Sequence, residues 1–297
     1  MAKRKVLIAT PLKGDIPKSY FLSSLQLYAA NIPDVKLDWF LLDGPAIQVA
    51  RCELAYYAMQ NKFDEVIFWD KDVVAEDENH KNVSAGAIMR LLSHDVDFVC
   101  GLYSTRDINT HWHVQTIEGE EAGKDGLQKV KRCAIGFSKM KVDMLREMCR
   151  DNPDREVLLI DPNNPPRTMT ELFPMGISGK NTPEFRLKNI AEFLTKAKQP
   201  EANLDAATIL ARIDRELTVR YDEPNLYIGE DYWFCDLARA SGYDVHLDTM
   251  LVLGHKANVT VPIPTKDLIK MLGESWRNDE LKELKSQLLA VKKAHEL

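Results

Sequence analysis

EVIFWDKDV, residues 65–73, is a short apolar run that stops at two carboxylates, and the rest of the chain is read outward from it. Val66, Ile67, Phe68 and Trp69 are β-branched and aromatic residues, which fit a sheet covered on both faces and predict a buried strand. Asp70 and Asp72 fall at its carboxyl end, with their side chains on one side if the strand continues. Open α/β sheets take ligands in the crevice outside the carboxyl ends of their strands. Two hard oxygen donors there suit Mn²⁺ or Mg²⁺ shared with a diphosphate. A solvated strand end is the plainer reading of the same two residues.

On both sides of this stretch, strand and helix patterns alternate. KVLIAT (5–10) reads as a strand ending at Pro11, and residues 18–31 as a helix with Leu22, Leu25, Leu27 and Tyr28 on its apolar face. VKLDWFLLDG (35–44), a helix over 47–62, a helix over 84–92 and VDFVCGLY (96–103) continue the pattern. Such alternation predicts an α/β, mostly parallel sheet with helices on both faces. Beyond residue 103, HWHVQTIEG and VKRCAIGFSKM read as strands that pair antiparallel, with KVDMLREMC as a helix behind them. Residues 151–183, rich in Pro, Asn and Asp, read as loop with at most one short strand. A helical stretch broken at Pro200 follows, and Thr265 opens a charged amphipathic helix with Leu268, Leu272, Leu281, Leu284 and Leu288 apolar. The expected organisation is a catalytic domain over 1–264, with an insertion at about 151–227, and a helical tail over 265–297.

The 297-residue composition, 45% hydrophobic and 28% charged, is that of a globular chain. No apolar run reaches membrane-spanning length and MAKRK lacks a signal peptide's apolar continuation, so a cytoplasmic protein is expected. Five cysteines without a C-x-x-C pair argue against a disulfide framework or zinc site. A net charge of −6 gives no overall attraction to nucleic acid, although residues 124–150 carry eight Lys/Arg against three Asp/Glu. That segment reads either as a solvated face or as a surface for an anionic acceptor such as DNA.

Four further features fall at loop positions on the carboxyl-end side of the sheet. Thr10-Pro11 follows the first strand, and Asp43-Gly44 the second, with Arg51 in the next helix. Asp43 suits a ribose hydroxyl or a base N–H, and Arg51 suits a phosphate or braces Asp43. Taken singly, they are also a turn and a surface arginine. Glu230 and Asp231 open a helix, where acids also act as caps and dipole partners. His255, after an apolar run and Gly254, would complete a metal shell with Asp70 and Asp72, although a lone histidine is commonly structural. Tyr103 and Arg106 follow the strand beside the acids and read as facing a sugar or an acceptor. His111 and His113 share a strand face without a third ligand nearby. Trp69 reads as core.

Taken together, TP after the first strand, AIQVARCELAYYAM before FWDKDV, and GEDYWFCDLARASGYDVHLDTMLVLGH resemble a metal-dependent glycosyltransferase of the GT-A fold. The resemblance covers residues 6–105 and 224–256 and is nearest in style to viral and mannosyltransferase-like members with D-x-D and a late histidine. It implies a Rossmann-like sheet and a nucleotide-sugar donor, UDP-linked by preference. It assigns donor contacts to Thr10, Pro11, Asp43 and Arg51, and Mn²⁺ or Mg²⁺ to Asp72 and His255. Asp70 would ligate directly or bond the ribose and a metal-bound water. In inverting members the second acid of the pair, here Asp231, is the general base, and Glu230 binds hydroxyls. CAIGF (133–137) resembles the acceptor-side segment, with Ala134 and Ile135 where a polar or glycine pair is usual.

The implied acceptor is a glycan or protein hydroxyl, with hydroxylated DNA bases, as in phage enzymes, the alternative. Aspartyl-phosphate phosphohydrolases also use D-x-D, but Val73-Val74 stand here where a Thr usually follows. Nucleotidyltransferases carry a glycine-rich basic loop after the first strand, and LKGDIPK has one glycine. A nucleotide-sugar- or carbohydrate-binding module without turnover also fits the residues.

Overall fold

The computed structural model describes residues 3–74, 84–103, 113–161, 164–177, 183–198, 205–218, 227–251 and 253–255. The first half alternates as expected: β1 (Arg4–Leu12), α1 (Lys18–Ala30), β2 (Val35–Asp43), α2 (Ile47–Gln60) and β3 (Glu65–Trp69). After β4 (Val73–Val74) come α3 (Ser84–Ser93), β5 (Phe98–Gly101), β6 (Val114–Thr116), β7 (Leu127–Cys133), β8 (Phe137–Lys141) and α4 (Val142–Asp151). β9 (Glu156–Asp161), β10 (Asn164–Thr170), β11 (Gly176–Ile177), α5 (Pro183–Ala197) and α6 (Ala206–Thr218) follow. β12 (Tyr227–Ile228), α7 (Glu230–Ala240), β13 (Val245–Asp248) and β14 (Gly254–His255) complete the described chain.

One eight-stranded sheet runs β2-β1-β3-β8-β5-β13-β7-β6. β1 pairs in parallel with β2 and β3, β5 with β13, and β8 and β7 oppose their neighbours, so six of the eight strands point one way. The result is the α/β sheet with mostly co-directional strands that the strand–helix alternation predicts, consistent with the Rossmann-like sheet that the resemblance implies, although β8 and β7 make four of its seven strand pairs antiparallel. All five residues of β3 are buried. Successive side chains of a strand point to opposite faces, and the core divides accordingly. Val66 and Phe68 pack with Leu54, Leu145 and Phe234 on the α2–α4–α7 face. Ile67 and Trp69 pack with Tyr20, Leu27, Ile88 and Leu91 on the α1–α3 face. Helices therefore cover both faces, and Trp69 is core as expected, donating its indole N–H to Val73 O at 2.9 Å.

Two expectations are corrected. β1 does not stop at Pro11 but runs to Leu12, with Pro11 opposite Leu42. The β3 side of β1 is paired only as far as Ala9, so the N–H that proline lacks has no ladder role there. Residues 151–183 are not mainly loop: β9 and β10 form an antiparallel pair, with Pro165 and Pro166 at a register shift. This stretch joins the main core through Phe173, whose ring stacks on Phe234 at 4.5 Å and meets Phe68 edge-on at 5.5 Å. The break expected at Pro200 and the tail from Thr265 lie outside the described residues.

All five cysteines are free, and all but Cys149 are buried. Cys133 and Cys235 meet across β7 and α7, where the Cys235 thiol donates to Cys133 O at 3.4 Å. Among the described residues, no helix is long and apolar enough to cross a membrane.

Candidate functional site

Where β3 ends, the chain turns. Asp70 N–H donates to Gly136 O at 2.7 Å and Val73 N–H donates to Asp70 O at 3.0 Å, so the D-x-D motif is the turn between β3 and β4. The expected continuation of the strand, with both acids on one side, is therefore corrected. Asp70 is committed to Arg51, whose Nη2 donates to its Oδ2 at 3.0 Å. Asp72 is half-buried on the turn. β4 pairs with β14, which sets His255 opposite Val73 and brings its backbone beside the motif.

Arg51 organises the site. It is fully buried on α2, over the Phe68 ring at 5.6 Å. Besides Asp70 it faces Glu230, with Nε to Oε1 at 3.5 Å, and Asp231, with Nη2 to Oδ1 at 3.5 Å. Glu230 and Asp231 form the first turn of α7, where acids suit the positive end of the helix dipole. One arginine thus stands among three carboxylates.

This charge imbalance perturbs the groups present. Burial pushes the Asp231 carboxyl up to about 8, against the pull of Arg51 and with reinforcement from Glu230 and Asp70. Burial alone would favour loss of the Arg51 proton, but Asp70, Asp231 and Glu230 raise its pKa above the ordinary value. Tyr103 is raised well above a free phenol by burial, then by Asp231 and Asp70, and its hydroxyl accepts from Gly136 N–H at 2.8 Å. Gly136 closes the floor of the site. A Cβ added there would overlap both Tyr103 Oη and Asp70 Oδ2. Among the described residues, Asp70 Oδ1 is buried without a hydrogen-bond partner.

The other expected positions separate. Thr10 is fully buried, donating to Trp69 O at 2.9 Å and meeting Tyr20 Oη, so its hydroxyl ties β1 to the end of β3 instead of facing a ligand. Pro11 is half-buried at the end of β1. Asp43 is exposed and accepts from Gly14 N–H at 3.3 Å. Arg51 braces Asp70, Glu230 and Asp231 instead of Asp43, and its burial removes it from direct phosphate contact. Tyr103 faces the acids and Gly136, not an open sugar pocket. Arg106 and His111 lie outside the described residues, while His113 is exposed with its ring 6.4 Å from that of Tyr232. Among the described residues, no group of three or more His, Cys, Asp or Glu is arranged to hold a metal; the His255 side chain is not among those described.

Two contributors were missed by sequence reasoning. Gly136 carried a signal, a glycine between large apolar residues at the start of a strand. Lys71, inside D-x-D, carried none: its ammonium donates to Asp15 O at 3.0 Å and to Lys13 O, pinning the loop after β1 to the motif.

The basic segment 124–150 is not an unpaired cationic face. Lys129, Lys141, Arg146 and Arg150 pair with Asp244, Asp95 and Asp97, Asp143, and Asp151 respectively. Arg132 and Lys139 are buried against Asp236 and Glu65.

No protein-family model matches the chain, and no curated protein matches it. Among solved structures, the one described as "Crystal Structure of A197 from STIV" aligns over 89% of this chain and 91% of that one, at 14% identity and a TM-score of 0.42. A likeness of that size carries no argument about activity.

Proposed function

We propose that this chain is a Mn²⁺- or Mg²⁺-dependent glycosyltransferase of the GT-A type, moving a sugar from a nucleotide-sugar donor, UDP-linked by preference, to a hydroxyl. The observation that carries the reading is the charge balance at the carboxyl end of β3, where, among the described residues, Arg51 is the one cation facing Asp70, Glu230 and Asp231. Uncompensated buried charge is costly, so such a cluster favours a bound cation or proton.

The donor set fits a hard divalent ion. Asp70 Oδ1 is buried and unpartnered, Asp72 follows two residues later, and the His255 backbone lies opposite Val73. Asp72 and His255 would hold the ion, with Asp70 as a ligand or a ribose partner. Once bound, the ion offsets charge on the leaving nucleoside diphosphate. Asp231 takes the proton of the acceptor hydroxyl, and a base with a raised pKa is suited to that transfer near neutral pH. Glu230 orients hydroxyls, and Arg51 holds all three acids in register. Tyr103 and Gly136 exclude water from the floor of the site. Asp43, exposed at the end of β2, accepts a hydrogen bond from base or ribose. A glycan or protein acceptor is favoured over DNA because the basic segment is largely paired with carboxylates.

The test is a thermal-shift screen of nucleotide sugars with and without Mn²⁺, since a ligand of the native state raises apparent stability. A Mn²⁺-dependent shift with one donor, abolished in Asp72→Asn, is expected; an unchanged shift in that variant would remove the metal assignment. Asp231→Asn should bind the same donor with turnover down by about 10²–10⁴-fold. No release of nucleoside diphosphate by the wild type under any donor would leave a binding module instead.

A further inference from the structure

Arg51 is fully buried and committed to Asp70, Glu230 and Asp231, which puts it out of reach of a ligand's phosphates. Asp43 and the two acids of D-x-D, at the same end of the sheet, carry the sign of a phosphate and repel it. A diphosphate seated among them needs positive charge from a side chain as well as from a metal ion.

Lys71 is the middle residue of the motif, half-buried on the turn between β3 and β4. Its ammonium crosses to the loop after β1, donating to Asp15 O at 3.0 Å and to Lys13 O. Between those two carbonyls Gly14 takes a φ of +72°, a left-handed conformation that glycine adopts without strain, and turns its N–H to Asp43 Oδ1 at 3.3 Å. A Cβ added to Gly14 would meet nothing within 4 Å, so the space beside this loop is open. Side chains from the ends of β2 and β3 therefore hold one short loop between them.

The chemistry of the ammonium goes beyond that of a tether. It has three donors, and the two carbonyls take two of them. Carbonyls are neutral, so its charge is not cancelled, and among the described residues no carboxylate pairs with it. Two hydrogen bonds already fix the side chain, so a contact through the third donor loses little further rotamer freedom. A bond from that donor to an anionic oxygen is roughly twice as strong as one between neutral groups.

We infer that Lys71 is a phosphate-binding residue, giving its third N–H to an oxygen of the donor diphosphate on the side of D-x-D that faces residues 13–15. The inference rests on the nucleotide-donor reading of the site and adds to it the side chain that recognises the phosphates. A ligand without phosphate gains nothing from Lys71.

Calorimetric titrations with Mg²⁺ and each of UDP, GDP, ADP and CDP, beside the matching nucleosides, test it. The diphosphate that binds the wild type should bind Lys71→Met about 10–100-fold more weakly, the range for one hydrogen bond to a charged group. The matching nucleoside should bind both proteins alike, and Lys71→Arg, which keeps the charge, should recover part of the loss. Equal affinity of wild type and Lys71→Met for the diphosphate overturns the inference and leaves the donor reading standing. An equal loss for diphosphate and nucleoside also overturns it, leaving Lys71 only as the tether of the loop after β1. No binding of any diphosphate by the wild type removes the donor reading, and this inference with it.

Discussion

At the amino end of β3, Glu65 sits between two cations, Arg4 Nε at 3.4 Å and Lys139 Nζ at 3.3 Å, whereas at the carboxyl end Arg51 sits among three carboxylates. In the first set the cations also reach backbone, Lys139 donating to His94 O at 2.5 Å and Arg4 to Leu92 O at 3.1 Å, while Glu65 Oε2 keeps the Arg4 ion pair without a hydrogen bond among the described residues. The second, among the described residues, leaves Asp70 Oδ1 without a hydrogen bond and Asp231 with a raised pKa. A single strand therefore buries charge at both ends for different purposes. Opposite charges that meet their needs within the chain hold a fold together. At the carboxyl end the excess is negative, and that excess is the basis of the proposed cation site.

The sharpest way to break this comparison is Arg51→Leu, which strips three buried acids of their cation. Removing one partner of a buried ion set costs about 3–5 kcal/mol, measured here by urea denaturation at neutral pH. Millimolar Mn²⁺ should return part of that loss; no return would mean that the cluster is not a cation site. Lys139→Met tests the other end and should cost less, about 1–3 kcal/mol, because Arg4 still faces Glu65. Its stability should not respond to Mn²⁺, and a metal effect equal to that at Arg51 would erase the distinction between the ends.

The third effect expected is a gain. A carboxyl whose pKa is raised in the fold keeps a proton that the unfolded chain releases, so folded-state stability falls as pH rises from about 4 to about 8. Asp231→Asn removes that penalty. It should melt higher than wild type at pH 8, and equally at pH 4. In turnover the same group predicts a rate that rises through neutral pH and a flat profile in Asp231→Asn; a flat wild-type profile would count against the base assignment.

The sheet was legible because its strands are short apolar runs separated by helical patterns, and β3 was the clearest of them. The β9–β10 pair was hidden by Asn164, Pro165 and Pro166, whose composition reads as loop; in a two-stranded pair, each strand has a free edge where proline is tolerated. Glu230 and Asp231 were legible as acids at a helix start. The role of Arg51 was not, because its partners lie 19 residues away at Asp70 and far along the chain on α7. Only folding shows whether an arginine near a strand end faces a phosphate or neutralises its own neighbours. Gly136 showed locally only as a glycine between large apolar residues; what demands it there is the approach of Tyr103 and Asp70, which lie far along the chain.

The free thiols have a practical consequence. Burial pushes Cys52 up to about 12 and Cys149 up to about 11, and Cys100, Cys133 and Cys235 are raised as well. Thiolates, not thiols, react with alkylating reagents, so the intact protein should consume such a reagent almost wholly at half-buried Cys149. Every further equivalent taken up would record an opening of the molecule. The five native cysteines thus act as a built-in clock for unfolding, with no added label.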